Sequence, residues 1–415
     1  MNNLNFLVDV LKESPVFKTL EKNVKPGRTV CASGLSTINK SNIIYALCRL
    51  KGVTAFCLAS DEKEAQTLCN DLSCMGLRAY VYPVRDFNFL DFQSRSHEYE
   101  HARLKVLLKL LNHECDVAIA CVDAAAQLTV PKNVLEQSVI EFEEGRELSL
   151  EKATKALTLL GYERFDAVEG SGQFSLRGGI LDFFMPDSDY PVRCEFWGDE
   201  ITDLSYFDIE TQRRFKKADK ITLSPSTEIV IEDRAALADK IEHKAKLLRS
   251  KNSAKAKEKL FSEAELIRSG AMIANADKFI NQIYDKPESL FDYLDRNTLV
   301  FASEFTAIQE RGKSMDFISN ETLMQGFEDG TLCRGFDRFA LTFNECTEFL
   351  QSHGTIVLEN FVHGSMPIKL SEIISFSTKQ LSAWGGSYKQ LKEDVDGLFT
   401  PESKGVILSL IHISE

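Results

Sequence analysis

The sequence predicts an α/β protein in which a parallel-sheet domain is interrupted by a small α+β unit and then resumed. Three observations lead there. Apolar runs of strand length alternate with helical periodicity over residues 28–121. From about Val139 the pattern changes to short alternating segments broken by glycine. Strand-like runs then return at Thr298–Phe301, Thr355–Leu358 and Ile373–Phe376. A chain of 415 residues is also too long for one ordinary core and should divide into two to four domains.

Taken in order, residues 28–33 (RTVCAS) read as a strand, followed by a glycine loop, a helix over 39–50 (NKSNIIYALCRL) and a second strand over 54–60. A helix follows with apolar spacing through Ala65, Leu68, Leu72 and Met75, then a strand at Ala79–Tyr82. A helix around Ala102–Leu111 leads to the strand Asp116–Cys121. We expect residues 1–125 to form the first part of the α/β domain, 126–230 the insert, 231–395 its second part, and 396–415 a truncated linker or the start of another domain. Within the insert, Ser149–Leu160 reads as a helix. Along Pro191–Glu200, Val192, Cys194 and Phe196 share one strand face while Arg193, Glu195 and Trp197 share the other. Gly198-Asp199 signals a hairpin turn. No long Pro/Gly/Ser linker occurs, so the insert should hold a well-defined position.

Residues 234–294 return to helix. Their lysine-rich portion, Lys240–Lys259, contains only Glu242 and Glu258 as acids. It reads either as a solvated helix face or as a stripe for DNA or a partner. The net charge of −13 argues against a general nucleic-acid surface and restricts any DNA contact to a local one. Ten cysteines without a CxxC pair or a histidine at ligand spacing read as reduced, mostly buried thiols. No apolar run approaches the roughly 20 residues needed to span a bilayer, and no leader pattern precedes the first helix. We expect a cytoplasmic protein without a membrane contact. His97 and His101 lie four apart but lack a third ligand, so no metal is expected. No catalytic constellation is found.

The stretch Gly34-Leu35-Ser36-Thr37-Ile38-Asn39-Lys40-Ser41 sits where a phosphate-binding loop GxxxxGK[ST] belongs, with Lys40 and Ser41 in the lysine and magnesium-binding positions. Asn39 replaces the second glycine, and its side chain obstructs the tight concave turn that cradles phosphate. The strand at 299–301 continues into Ala302-Ser303-Glu304 and offers no aspartate for magnesium. Gly34, Asn39, Lys40 and Ser41 therefore read as a degenerate loop, with ATP binding as the lesser alternative, and no cofactor is expected for this chain.

In the insert, alternation through Gln173–Arg177 turns Phe174 and Leu176 inward and Gln173, Ser175 and Arg177 outward, and Gly178-Gly179 permits a bulge. Arg177 reads two ways: it pairs with Asp182 or Glu195 across its own sheet, or it offers its guanidinium to a partner carboxylate. Arg164 is the second arginine we place on that surface. Phe184 is either core or interface.

Several separate runs resemble the N-terminal, UvrB-homology module of the bacterial transcription-repair coupling factors. They are Ser60-Asp61 with Glu64-Ala65 and Leu68; Tyr82-Pro83 with Asp86, Ser94 to Glu100 and Arg103-Leu104; Arg177 to Phe184; Arg193 to Ile201; and Phe207-Asp208 with Thr211 to Arg213. The resemblance implies a degenerate helicase-like α/β shell that has lost its nucleotide-binding sequence, carrying a UvrB-type UvrA-interaction domain. It also implies that Arg164, Arg177, Phe184 and Arg193 serve partner binding and that UvrA is the partner. RNA polymerase, DNA, ATP and magnesium belong, on the same resemblance, to the further domains of the full-length family. The tail Leu408–Glu415 matches nothing in that family. Two other readings compete with the docking module: an ATP-binding DNA translocase fragment, and a stand-alone nucleic-acid binder using Lys240–Lys259.

Overall fold

The computed structural model describes residues 5–85, 97–137, 140–249, 253–270, 276–361, 366–378 and 387–398. Asp86 and Ser94, which carry part of the resemblance, and the tail from 399 onward lie outside the described residues.

Seven parallel strands form the main sheet in the order β15-β1-β14-β13-β2-β4-β3. These are β1 (Val30–Ser33), β2 (Ala55–Ala59), β3 (Ala79–Tyr82), β4 (Val117–Cys121), β13 (Leu299–Ser303), β14 (Thr355–Leu358) and β15 (Glu372–Ser375). Four come from before the insert and three from after it, so the two flanking segments build one domain. The central strands VCAS, AFCLA and VAIAC are buried at every position, as parallel strands covered on both faces must be. Alternate residues feed two separate apolar clusters. Phe56, Leu58, Ala118 and Ala120 go to one face, and Ala55, Cys57, Val117 and Ile119 to the other.

Helix boundaries follow local chemistry. The helix Glu62–Cys74 opens on Asp61, whose carboxylate accepts the Glu64 N–H at 2.7 Å. The helix Thr37–Lys51 closes on Gly52 in the left-handed region, φ 63°. This helix begins two residues before the expected Asn39.

The insert contains more strands than its glycine turns indicate. A six-stranded sheet, ordered β11-β10-β9-β8-β7-β6, is joined by a two-stranded one, β12-β5. The strands are β5 (Ile140–Glu143), β6 (Glu163–Arg164), β7 (Gln173–Arg177), β8 (Ile180–Phe183), β9 (Val192–Trp197), β10 (Glu200–Phe207), β11 (Arg214–Lys217) and β12 (Lys220–Leu223). The helix Leu150–Leu159 and the inward residues Phe142, Phe174, Leu181, Phe183, Cys194 and Leu204 form a core of their own. Leu128, Val130 and Leu135, upstream of β5, pack instead in the parallel-sheet domain. The lysine-rich helices Arg234–Leu247 and Ser253–Arg268 pack on each other through Leu237, Ile241, Leu260 and Ala264, with lysines outside.

Candidate functional site

Two places bear the chemistry that the sequence singles out. The first is the loop after β1. Because the helix already starts at Thr37, Ser36 is its N-cap residue and only Gly34 and Leu35 remain between strand and cap. Their N–H groups, which a phosphate would need, donate to the carbonyls of Asn360 at 3.1 Å and Glu359 at 3.0 Å. A Cβ on Gly34 would lie 2.1 Å from the Phe376 carbonyl oxygen, so the chain closes directly over the loop.

Lys40 is buried at 3 % exposure. Its Nζ lies 2.6 Å from Glu304, 2.9 Å from the Ser303 hydroxyl and 3.2 Å from Glu64. Ser41 donates to Asp71 at 2.8 Å. Burial works against ionisation of Glu64, but the Lys40 ammonium and hydrogen bonds from Ser303 and Ser60 hold its carboxyl below the ordinary range. Glu359 is fully buried, and burial, reinforced by the Glu304 carboxylate, pushes it up to about 7. Glu304 itself sits at φ 54°, a conformation that costs energy in any residue with a Cβ. The ammonium that a triphosphate would engage is thus neutralised from within, and three carboxyl groups occupy the surrounding space. Sequence reasoning rested on Asn39 as an obstruction of the turn, whereas Asn39 lies inside the helix with its amide donating to the Ser36 hydroxyl at 2.8 Å. That reasoning missed Glu64, which comes from the first turn of the helix after β2, and Glu304 and Glu359, which directly follow β13 and β14, although Ser303-Glu304 at the end of a strand was a usable signal.

The second place is the outer face of the six-stranded sheet. Register aligns Ser175, Asp182, Arg193 and Ser205 in one row and Arg177, Ile180, Glu195 and Asp203 in the next. Asp182 is 1 % exposed and receives Arg193 through two bonds, Nε at 2.7 Å and Nη2 at 2.8 Å, plus Arg177 Nη2 at 3.0 Å. Hydrogen bonding to Asp182 raises the Arg193 pKa further. The two arginines differ in access. The Arg193 side chain is 13 % exposed, bonded also to Gln212 and stacked 4.5 Å from the Phe207 ring. Arg177 is 53 % exposed, leaving much of its guanidinium free to solvent.

The expected grouping of site residues is therefore changed in three respects. Arg193 is an internal support for Asp182, because β10 and the Gln212 turn cover it. Arg164 pairs with Phe174, in the row of the inward-facing Phe183, and is exposed only because β6 is the sheet edge. Ser175 does not face solvent: its hydroxyl donates to the Asp166 carbonyl at 2.8 Å, since the 165–171 segment folds over that end of the face. Phe184 is half-buried two residues beyond Asp182, its N–H continuing the ladder to Gln173 at 3.0 Å. Two positions beyond Glu195 on the same strand stands Trp197, 82 % exposed, whereas the exposed edge-to-face pair Tyr190 and Phe215, with centroids 4.8 Å apart, lies at the other end of the sheet, toward β11. Asp182 is the residue that sequence reasoning undervalued: it appeared only as a possible neighbour of Arg177, whereas it anchors both arginines.

His97 and His101 stack with ring centroids 5.9 Å apart, and no cluster of metal-ligating side chains occurs among the described residues. No described helix is long and apolar enough to cross a membrane.

Residues 140–229 match the UvrB interaction domain, so the insert carries that domain within the boundaries set by β5 and the chain beyond β12. The whole chain is similar to transcription-repair-coupling factors. That of Bacillus subtilis (strain 168) is 26% identical over 399 residues, covering 93% of this chain and 34% of the relative. Those of Staphylococcus epidermidis (strain RP62A) and Staphylococcus aureus (strain MRSA252) are 25% and 22% identical, covering 76% and 94% of this chain. The chain spans about a third of the length of the curated relatives it matches.

Proposed function

We propose that this chain is a docking module of a transcription-repair coupling factor, and that it recruits UvrA through the outer face of its six-stranded sheet. The observation that carries the reading is Asp182, buried and clamped by Arg193, holding the exposed Arg177 at a fixed place on a UvrB interaction domain. A guanidinium that is half exposed suits an acidic partner, because it retains donors for a carboxylate beyond those it gives Asp182. Arg177 is the charge we assign to partner contact, with Phe184 at its border and Arg193 acting through Asp182; Arg164, in the inward row at the sheet edge, lies outside that contact. The parallel-sheet domain serves as scaffold and holds no nucleotide, a role supported by the internal pairing of Lys40 and the closed Gly34 loop. RNA polymerase and DNA would be engaged by parts of a longer protein.

The test is co-purification with UvrA. Arg177→Glu should weaken capture by about 2 to 5 kcal/mol while the variant keeps the unfolding midpoint of Arg177→Gln. Capture of UvrA by Arg177→Glu at the wild-type level would contradict the reading. So would tight magnesium-dependent nucleotide uptake by this chain, which favours the translocase reading. DNA retention that falls steeply with salt would favour the nucleic-acid reading through the lysine-rich helices.

A further inference from the structure

The two large cores meet without sharing an apolar cluster. Among the described residues, every member of the insert's core lies within 140–223, and the parallel-sheet core takes none from that range. What joins them is polar. Residues 224–228, leaving β12, form a strap with two sides. Toward the insert, the Ser226 N–H donates to the Leu160 carbonyl at 2.8 Å, and the Ser224 carbonyl accepts the Tyr162 hydroxyl at 2.7 Å. Toward the body, the Thr227 hydroxyl and the Glu228 N–H both donate to Glu100, each at 2.8 Å.

Glu228 is the pivot of this strap. It and Arg103, on the helix Glu98–Leu111, are both fully buried and joined at 2.6 Å. The second Glu228 oxygen accepts Thr129 at 2.6 Å, while the Tyr284 hydroxyl donates to the Glu228 carbonyl at 2.8 Å. Arg103 is held in turn by the Pro83 carbonyl at 3.1 Å and Gln127 at 2.8 Å, with its guanidinium 4.2 Å above the Tyr82 ring. A buried ion pair is poor evidence of net stability, because desolvation offsets its attraction; its distinctive contribution is direction. Apolar surfaces slide over one another, whereas a bidentate, fully bonded pair has one geometry.

We infer that the Glu228–Arg103–Glu100 network is a positioning latch that sets the orientation of the insert on the parallel-sheet domain, so that breaking it releases the insert as a folded unit. This goes beyond the UvrA reading and does not depend on it. Interfaces between domains of one chain permit relative motion unless they are large and apolar, and this seam is polar.

The experiment uses the full chain with two fluorophores carried on non-canonical residues at the exposed positions 22 and 155, one on each unit, and reads the distribution of their separation. Wild type should give a single narrow distance. Glu228→Gln and Glu100→Gln should lose it and give a broad distribution, while amides of β2 and β4 and of β9 and β10 keep their protection from hydrogen exchange. Because Glu228→Gln leaves Arg103 buried without its carboxylate and can compromise folding, the double variant Arg103→Met/Glu228→Met provides a second route that removes one charge of each sign and leaves Arg85, the other arginine beside Glu228, its pairing with Asp277. It should fold and show the same broad distribution. Any folded variant that retains the wild-type distance overturns the inference. Collapse of both cores in one transition in all three variants overturns it equally, since the pair would then be part of a single cooperative core.

Discussion

Glu359 offers the sharpest test of the closed loop, because its behaviour depends on the burial of that same site. The carboxyl is fully buried, one oxygen accepting the Phe305 N–H at 2.8 Å, and it is pushed up to about 7 from an ordinary 4.5 by burial and then by Glu304, with Lys40 opposing. The folded chain therefore binds this proton more tightly than the unfolded chain does. The associated stability is fully present below pH 4.5 and is lost as pH rises through 7. At roughly 1.4 kcal/mol per pKa unit, the loss between pH 5 and pH 8 comes to about 2 to 3 kcal/mol. Glu359→Gln carries an amide in place of the protonated acid and has nothing to titrate. The assay is urea unfolding of both proteins across that range, followed by a probe in the parallel-sheet domain so that the transition read is the one Glu359 belongs to. Subtraction cancels the titrating groups that do not interact with Glu359. The variant should gain on wild type steadily with pH and be the more stable protein at pH 8. A difference that stays flat from pH 5 to pH 8 would refute the argument, showing that water reaches the carboxyl and that the loop is open.

Two further outcomes follow from the same region. Lys40→Met strands Glu64 and Glu304 beside each other in a site that is largely closed to solvent, and should cost about 3 kcal/mol by urea unfolding at pH 7. Gly34→Ala places a Cβ 2.1 Å from the Phe376 carbonyl oxygen on a residue at φ 80°, so β15 must move; a loss of about 2 kcal/mol or more in urea is expected, with no gain in nucleotide affinity.

The fold class was legible because burial demands it. Strands such as VAIAC, covered on both faces, must be apolar throughout, and the change to alternating segments after Val139 announces a sheet with one solvated face. The candidate site was legible only in part. Arg177 and Asp182 stand close in sequence, and their pairing was one of two readings of Arg177; Gly178-Gly179, read from sequence as permitting a bulge, is the turn that joins β7 to β8 and brings the two together. That Arg193 takes the same carboxylate from the next strand, and is thereby withdrawn from solvent, depends on register, which a one-residue slip would reverse. The worn phosphate loop could be suspected from Asn39 alone. Its replacement by a lysine held among three glutamates could not, since Glu64, Glu304 and Glu359 are brought to Lys40 by the order β1-β14-β13-β2.

The sequence by itself determined the alternation of helices and strands, the existence of the insert and the loss of the second loop glycine, because each is a property of local spacing and backbone freedom. Tertiary structure alone decided that Lys40 is neutralised internally, that Asp182 anchors two arginines, and that Glu228 and Arg103, 125 positions apart, tie the insert to the domain that carries it. Charges so distant along the chain have no preferred partner until the strands are ordered, and only then does burial make pairing compulsory.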